Sequence, residues 1–315
     1  MKNLIEQAVR KSFTASPILS VDDSKDKDRS LPLIAVVQMC STNDKHKNLM
    51  KMKLYAEDAS RNGAELVCFP ECCVYMGVSP ADTVKNAEPL EGPSIQALRQ
   101  LAQNLRVWIN VGGFSCAEGE NVQNVSVMID PRGEIQSTYA KMHLFDNPLT
   151  GMQESLSTQA GNQVCSVGPA QGCFAKIGLT ICYDVRFPEL YGKLCRSEED
   201  GNCGGHGAEI VLVPSAFMVR TGQAHWEILL RARAIENQVY IVAAAQVGNH
   251  HEDFTQGGGR ISHGHSMIIN PWGTVEARLG GHEEGVVLAS FNRQLLIDIR
   301  KNMPSQAHRR PNLYM

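Results

Sequence analysis

Within the stretch "IGLTICYDVRFPEL", residues 177 to 190, an apolar run breaks off into a thiol, a phenol, a carboxylate and a guanidinium. Ile177, Leu179 and Ile181 alternate as the buried positions of a strand, whereas Cys182, Tyr183, Asp184 and Arg186 carry chemistry that a connecting turn does not need. A cysteine attacks as its thiolate, which calls for a proton acceptor and a nearby positive charge. No histidine adjoins Cys182 in the chain. Glu71, closing "VCFPE", can accept the proton if burial raises its pKa, and Lys141 in "YAKMHLFD" can supply the charge. Glu154, in "MQES", follows Lys141 by thirteen residues in a segment rich in turn formers. Each of these alone is also what an ordinary protein contains: a buried free cysteine, a solvated acid, a lysine in a loop.

The elements that must hold them are legible from a repeat. "IAVVQM" from 34 matches "IGLTIC" from 177, and "AELVCFPE" from 64 matches "AEIVLVPS" from 208. "VWINVGGF" from 107 then matches "VYIVAAAQ" from 239, and "VMIDPRGEI" from 127 matches "MIINPWGTV" from 267. Four landmarks recurring in one order mark a structural unit used twice, with length differences confined to loops. Met39 stands where the second copy has Cys182, and Glu71 where it has Ser215. Fold symmetry accounts for the shared aliphatic residues but not for these differences. They fall at strand ends, where α/β proteins place ligands.

Each unit reads strand, helix, strand, helix, strand, hairpin. "KNLMKMKLYAEDASRNG" carries Leu49, Met52, Ala56 and Ala59 at helical spacing and stops at Asn62-Gly63. "IQALRQLAQNLR" and "AHWEILLRARAIENQ" supply further helices, while "DPRG" and "NPWG" are turns joining paired strands. Apolar strands alternating with helices predict an α/β fold of sheets covered by helices, and two facing units make a four-layer α-β-β-α sandwich. A single doubly wound sheet fits less well, because hairpins demand antiparallel neighbours.

Composition narrows the partners. The 315 residues are 43% hydrophobic and 20% charged, as in ordinary soluble globular proteins. A net charge of -3 with dispersed basic residues leaves no footprint for a nucleic acid, and no apolar run is long enough to span a membrane. The expected ligand is a small molecule. The ten cysteines lie mostly in apolar runs such as "ELVCFP" and "LTICYD", which reads as free thiols in a reducing, cytoplasmic compartment. Cys195, Cys203 and His206 lack the paired spacings of a zinc site, and "HH" at 250 and 251 with "HGH" from 263 read as surface histidines, so neither metal nor cofactor is expected. Residues 1–31, an amphipathic stretch followed by "DDSKDKDRS", read as a frayed extension or as a mitochondrial presequence, before a domain spanning 32–315.

From about residue 32 to 315 the chain resembles the nitrilase-superfamily carbon-nitrogen hydrolases, through "FPE" ending at Glu71, "YAKMHLFD" with Lys141, "QES" with Glu154 and "CYDVRFPEL" with Cys182. Within them "HWEILLRARAIENQVYIVAAAQ", "GHSMIINPWGTV" and the terminal "HRRPNLY" are most similar to the deaminated glutathione amidase branch. The resemblance implies the four-layer sandwich of two similar halves, pairing as a homodimer or higher homo-oligomer through helices beside the nucleophile. It also implies roles: Cys182 attacks an amide carbonyl, Glu71 relays its proton, and Lys141 and the Tyr183 N–H hold the oxyanion. Glu154 keeps Lys141 or the substrate amide in register, and water then cleaves the thioester. Asp184 is expected to cap the turn or pair with Arg186, and Arg186 either makes that pair or binds a substrate carboxylate. An ω-amidase acting on 2-oxoglutaramate shares the 2-oxo acid end and stays open, as does an interaction module on the same fold. The segments 195–207 and 251–262 look longer than the family's loops and bear on access to the site or on the dimer contact.

Overall fold

The computed structural model describes residues 31–119, 121–147, 152–196, 206–251, 260–310 and 313. The extension reading for residues 1–30 therefore lies outside the described residues, as do 197–205 and 252–259 within the two long loops. The first half runs β1 (Leu33–Gln38), α1 (Lys45–Arg61), β2 (Ala64–Cys68), α2 (Pro80–Lys85), α3 (Pro93–Leu105), β3 (Trp108–Glu118), β4 (Asn121–Ile129) and β5 (Ile135–Ala140). Short strands β6 (Asp146–Asn147), β7 (Met152–Gln153) and β8 (Ser166–Val167) lead to the second half. That half runs β9 (Ile177–Leu179), α4 (Pro188–Cys195), β10 (Ile210–Leu212), α5 (Val219–Asn237), β11 (Tyr240–Ala243), β12 (Val247–Asn249), β13 (Ile261–His263), β14 (Met267–Ile269) and β15 (Val275–Arg278). The strand β16 (Gly285–Ser290) and the helix α6 (Arg293–Asn302) follow.

Two six-stranded sheets form, ordered β16-β1-β2-β3-β4-β5 and β8-β9-β10-β11-β14-β15. In each, three parallel central strands continue into an antiparallel pair, whose β4–β5 and β14–β15 turns are the predicted "DPRG" and "NPWG". The repeat thus maps strand for strand. The sixth strand differs: the first sheet borrows β16 from the far end of the chain, while the second takes β8 from the segment between the halves.

Alternation along the strands sorts the side chains into three cores. Ile34 and Val36 of β1 face Ile177, Leu179, Ile210 and Leu212 between the sheets, whereas Ala35 and Val37 face Met52, Ala56, Ile95 and Leu98 of α1 and α3. On the far side Val211 and Ile241 pack on Leu190, Leu194, Trp226 and Leu230 of α4 and α5. Each large aliphatic or aromatic residue buried in this way contributes about 1.5–3 kcal/mol. The layers are α-β-β-α, as expected.

Local chemistry explains the helix limits. Asp44 caps α1 by accepting from the Lys47 N–H at 3.0 Å, worth about 1 kcal/mol. α3 and α5 both end in a left-handed residue, Arg106 and Gln238, just before β3 and β11, a second mark of the repeat. α5 starts at Val219, earlier than the apolar run from Ala224 suggests, because Gly222 lets it pass His263: a β-carbon there would lie 2.2 Å from the imidazole Cγ.

Candidate active site

Strand order brings the candidates to one edge of the facing sheets. Cys182 follows β9, Glu71 follows β2, Lys141 follows β5, and Glu154 opens a 3₁₀ turn after β7. Lys141 Nζ lies 2.9 Å from Glu71 Oε1 and 2.7 Å from Glu154 Oε2, so one ammonium joins two carboxylates. Asn124 of β4, which sequence reasoning missed, donates through Nδ2 to Glu71 Oε1 at 3.0 Å and to Glu154 Oε1 at 3.1 Å. The other Glu71 oxygen accepts from the Ala216 N–H at 3.0 Å, and Glu154 Oε2 accepts from the Phe145 N–H at 2.8 Å. Gly112 and Gly113 make room: a β-carbon on Gly112 would lie 2.0 Å from the Phe69 carbonyl oxygen, and one on Gly113 2.9 Å from Glu71 Cγ.

The electrostatics of this cluster differ from the expectation for Glu71. Burial does push its carboxyl up, but the adjacent Lys141 charge and hydrogen bond, with a bond from Cys182, outweigh it, and the net shift is downwards. Lys141 is the converse: burial opposes its charge, yet Glu154 and Glu71 hold its ammonium well above the usual lysine range. Burial and then the Glu71 charge raise the Cys182 thiol well above its usual value, opposed by Lys141 and the Ala216 N–H. The resting ensemble is therefore thiol, carboxylate and ammonium, and to act as a nucleophile the thiol would have to lose its proton in the attack. Glu71, in contact with it, is placed to take that proton.

The turn that presents Cys182 is strained and heavily braced. Cys182 has φ +48°, a left-handed conformation that costs a non-glycine residue about 1–3 kcal/mol. Its N–H donates to Pro214 O at 2.8 Å and the Asp184 N–H to Ile181 O at 3.1 Å, while the Tyr183 N–H between them has no protein acceptor among the described residues. Asp184, fully buried, caps the turn by accepting from the Ile181 N–H at 2.9 Å, the Tyr139 hydroxyl at 2.7 Å and the His143 N–H at 3.1 Å. The alternative of a pair with Arg186 is corrected, because these donors and His143 Nδ1 occupy the carboxylate. Arg233 of α5 adds a bond from Nε to Val185 O at 2.9 Å. Asp184→Asn replaces one acceptor oxygen by an amide that faces other donors, and costs about 1–3 kcal/mol. We expect thermal denaturation to show Tm lowered by several degrees, and steady-state kinetics to show kcat falling more than KM rises.

A cavity of about 500 Å³ opens above Cys182, Glu71, Lys141 and Glu154. Tyr183 and Arg186 line it; the Arg186 guanidinium lies 5.6 Å from the Tyr183 ring centre and 5.4 Å from that of Phe217, with Nη1 3.3 Å from His225 Nδ1. Arg260, immediately before β13, also lines it and carries no signal in the sequence beyond one arginine in a glycine-rich loop. His250 and His251 are not surface residues: His250 is 2% exposed and hydrogen-bonds Ser41 O at 2.8 Å and Ser262 Oγ at 2.7 Å. Ser41 lies far from His250 in sequence, so the glycines nearby mislead. Among the described residues no cluster of histidine, cysteine, aspartate and glutamate has the makings of a metal site.

Comparison with known proteins bears on the family of the chain. The family model described as carbon-nitrogen hydrolase matches residues 33–301. The human deaminated glutathione amidase is 41% identical over 292 residues, covering 90% of this chain and 84% of its own. The crystal structure of the C. elegans NitFhit protein superposes with a TM-score of 0.78 at 35% identity, over 90% of this chain and 66% of that one. A mutant amidase from Nesterenkonia sp. AN1, in which acrylamide has added to the active-site cysteine, gives a TM-score of 0.66 at 25% identity over 87% of this chain and 98% of that one. A thiol, a carboxylate and an ammonium at the strand ends of two matched sheets thus occur in a chain that, over nearly its whole described length, belongs to the carbon-nitrogen hydrolases of the nitrilase superfamily.

Proposed function

We propose that this amidase hydrolyses the γ-amide of deaminated glutathione to 2-oxoglutarate and cysteinylglycine, with Cys182 as nucleophile. The observation that carries the mechanism is that Cys182 opens onto the same cavity as a Glu71 carboxylate that is itself held at 2.9 Å by Lys141. Sγ attacks the amide carbonyl as Glu71 takes its proton, and Lys141 Nζ with the Tyr183 N–H stabilises the oxyanion. Protonated Glu71 then gives the proton to the departing amine, leaving a thioester. Water, deprotonated by Glu71, cleaves the thioester and restores the thiol. Glu154 and Asn124 keep Lys141 and Glu71 in register throughout.

The substrate reading draws on the human relative, and on a cavity large enough for a peptide-sized leaving group. Comparing kcat/KM for deaminated glutathione and for 2-oxoglutaramate under identical conditions tests it. A preference above tenfold for the former, about 1.4 kcal/mol, supports the reading, and one above tenfold for the latter makes the protein an ω-amidase.

Arg186 is proposed to hold the carboxylate of the 2-oxo acid, since Asp184 is engaged elsewhere and two aromatic rings support the guanidinium plane. Arg186→Lys then raises KM for 2-oxo acid amides about tenfold or more while a neutral simple amide is much less affected. Equal losses on both, mainly in kcat and Tm, make Arg186 a scaffold residue. Exposed Ile228 and Ile235, two turns apart on α5, and Trp272 beside them favour a homodimer through this helix face. The described cysteines are all free thiols, which favours the cytoplasm.

A further inference from the structure

Lys141 is neutralised by Glu71 and Glu154, but the cavity wall holds two more cations, Arg186 and Arg260. Neither has a carboxylate partner among the described residues, and the Arg260 Nε is buried without any hydrogen-bond acceptor. A guanidinium left with an unmade bond in a concave site is suited to an incoming anion. We propose that Arg260 binds a second substrate carboxylate, on the leaving-group side of the scissile amide, and so selects dianionic peptide-like amides over small monoanionic ones. The inference rests on the amidase reading above and names the substrate feature that reading leaves unassigned.

The side is argued from the chemistry. The departing amine must receive its proton from Glu71, so the leaving group lies on the Glu71 side of Cys182. Arg260 stands on that side: its carbonyl accepts from the His250 N–H at 3.1 Å, His250 Nδ1 bonds Ser41 O at 2.8 Å, and Ser41 Oγ donates to the carbonyl of Cys73, just past Glu71, at 3.2 Å. Arg186 stands with Tyr183, Phe217 and His225. Deaminated glutathione carries one carboxylate on the acyl portion and one on the terminal glycine of the leaving portion, whereas the leaving group of 2-oxoglutaramate is ammonia, which offers nothing for Arg260 to hold. All these substrates form the same thioester, so Arg260 acts on acylation and leaves thioester hydrolysis untouched.

The test is steady-state kinetics of the wild type, Arg260→Gln and Arg260→Lys on three substrates: deaminated glutathione, its glycine N-methylamide, and 2-oxoglutaramate. The wild type should have at least a tenfold lower KM for the free acid than for the N-methylamide. Arg260→Gln should raise the free-acid KM at least tenfold, erase that difference and leave 2-oxoglutaramate within twofold; Arg260→Lys should recover part of the loss. Equal losses on all three substrates, or a wild type indifferent to the glycine carboxylate, overturn the proposal, and the wild-type comparison holds even if a variant fails to fold. If the wild type cleaves none of the three, the amidase reading falls by itself. Calorimetric binding of the two uncleaved peptides to the wild type then decides Arg260 separately: tighter binding of the free acid supports it, and equal binding overturns it.

Discussion

Cys182→Ala and Cys182→Ser are expected to fold as the parent does and to turn over no amide. Both replacements are small and neither adds strain at φ +48°, so circular dichroism and Tm should stay near the wild type. The loss is chemical. Alanine has no attacking atom, and a serine hydroxyl holds its proton far more tightly than a thiol. That hydroxyl is also the poorer nucleophile and the poorer leaving group when the acyl-enzyme is cleaved. Loss of a nucleophile of this type costs about 10⁴-fold or more in kcat. Cys73 is the contrast: fully buried on the helix-covered face of the first sheet, its thiol is pushed up to about 12 by burial and has no part in the cavity. Cys73→Ala should lower Tm and spare the chemistry. Substantial amidase activity in folded Cys182→Ala would remove the thioester mechanism.

Lys141→Met has the second-largest expected effect, and it acts on two observables. The ammonium is 2% exposed between carboxylates, so methionine leaves Glu71 and Glu154 facing each other without a counter-charge. Removing one member of a buried ion pair costs about 3–5 kcal/mol. With the cation gone, burial and mutual repulsion raise the carboxyl pKa of the folded pair above its unfolded value. A raised folded pKa gives stability that is present at low pH and lost as pH rises. The Tm deficit of Lys141→Met should therefore be greatest at neutral pH and shrink towards pH 5. In the folded fraction kcat should fall by about 10²-fold or more, since the oxyanion loses its charged partner. A well-folded variant with near-normal kcat would place Lys141 outside the chemistry, and a deficit that grows as pH falls would contradict the electrostatic account.

The fold was legible because aliphatic alternation is a local signal. Ile34, Val36, Ile177 and Leu179 announce buried strands whatever lies opposite them, and repetition of the pattern gives the second sheet. The catalytic candidates were legible because their flanking sequences are distinctive. Asn124, Arg260 and Gln246 were not, since a polar residue in or beside a strand looks the same whether it faces water or a buried partner. Gln246 donates to Glu71 O at 2.9 Å and to Ser41 Oγ at 2.7 Å, contacts that exist only once the two halves meet. The sense of the Glu71 shift was hidden for a related reason: it depends on the separation from Lys141, seventy positions along the chain. Burial alone would have driven it the other way.

The borrowed strand β16 bears on how such a chain is made. Leu33 pairs with Ser290 and Gln38 with Gly285, so the rim of the first sheet is closed by residues that leave the ribosome only after the second sheet has been made. Until then β1 presents an open row of amides and carbonyls to whatever strand passes, including a neighbouring nascent copy. Contacts between residues so far apart also form slowly, because the intervening chain must be gathered first. The first half therefore waits with one edge unsealed while the second half is made, and it is in this interval that the protein is most exposed to misassembly and in greatest need of a chaperone.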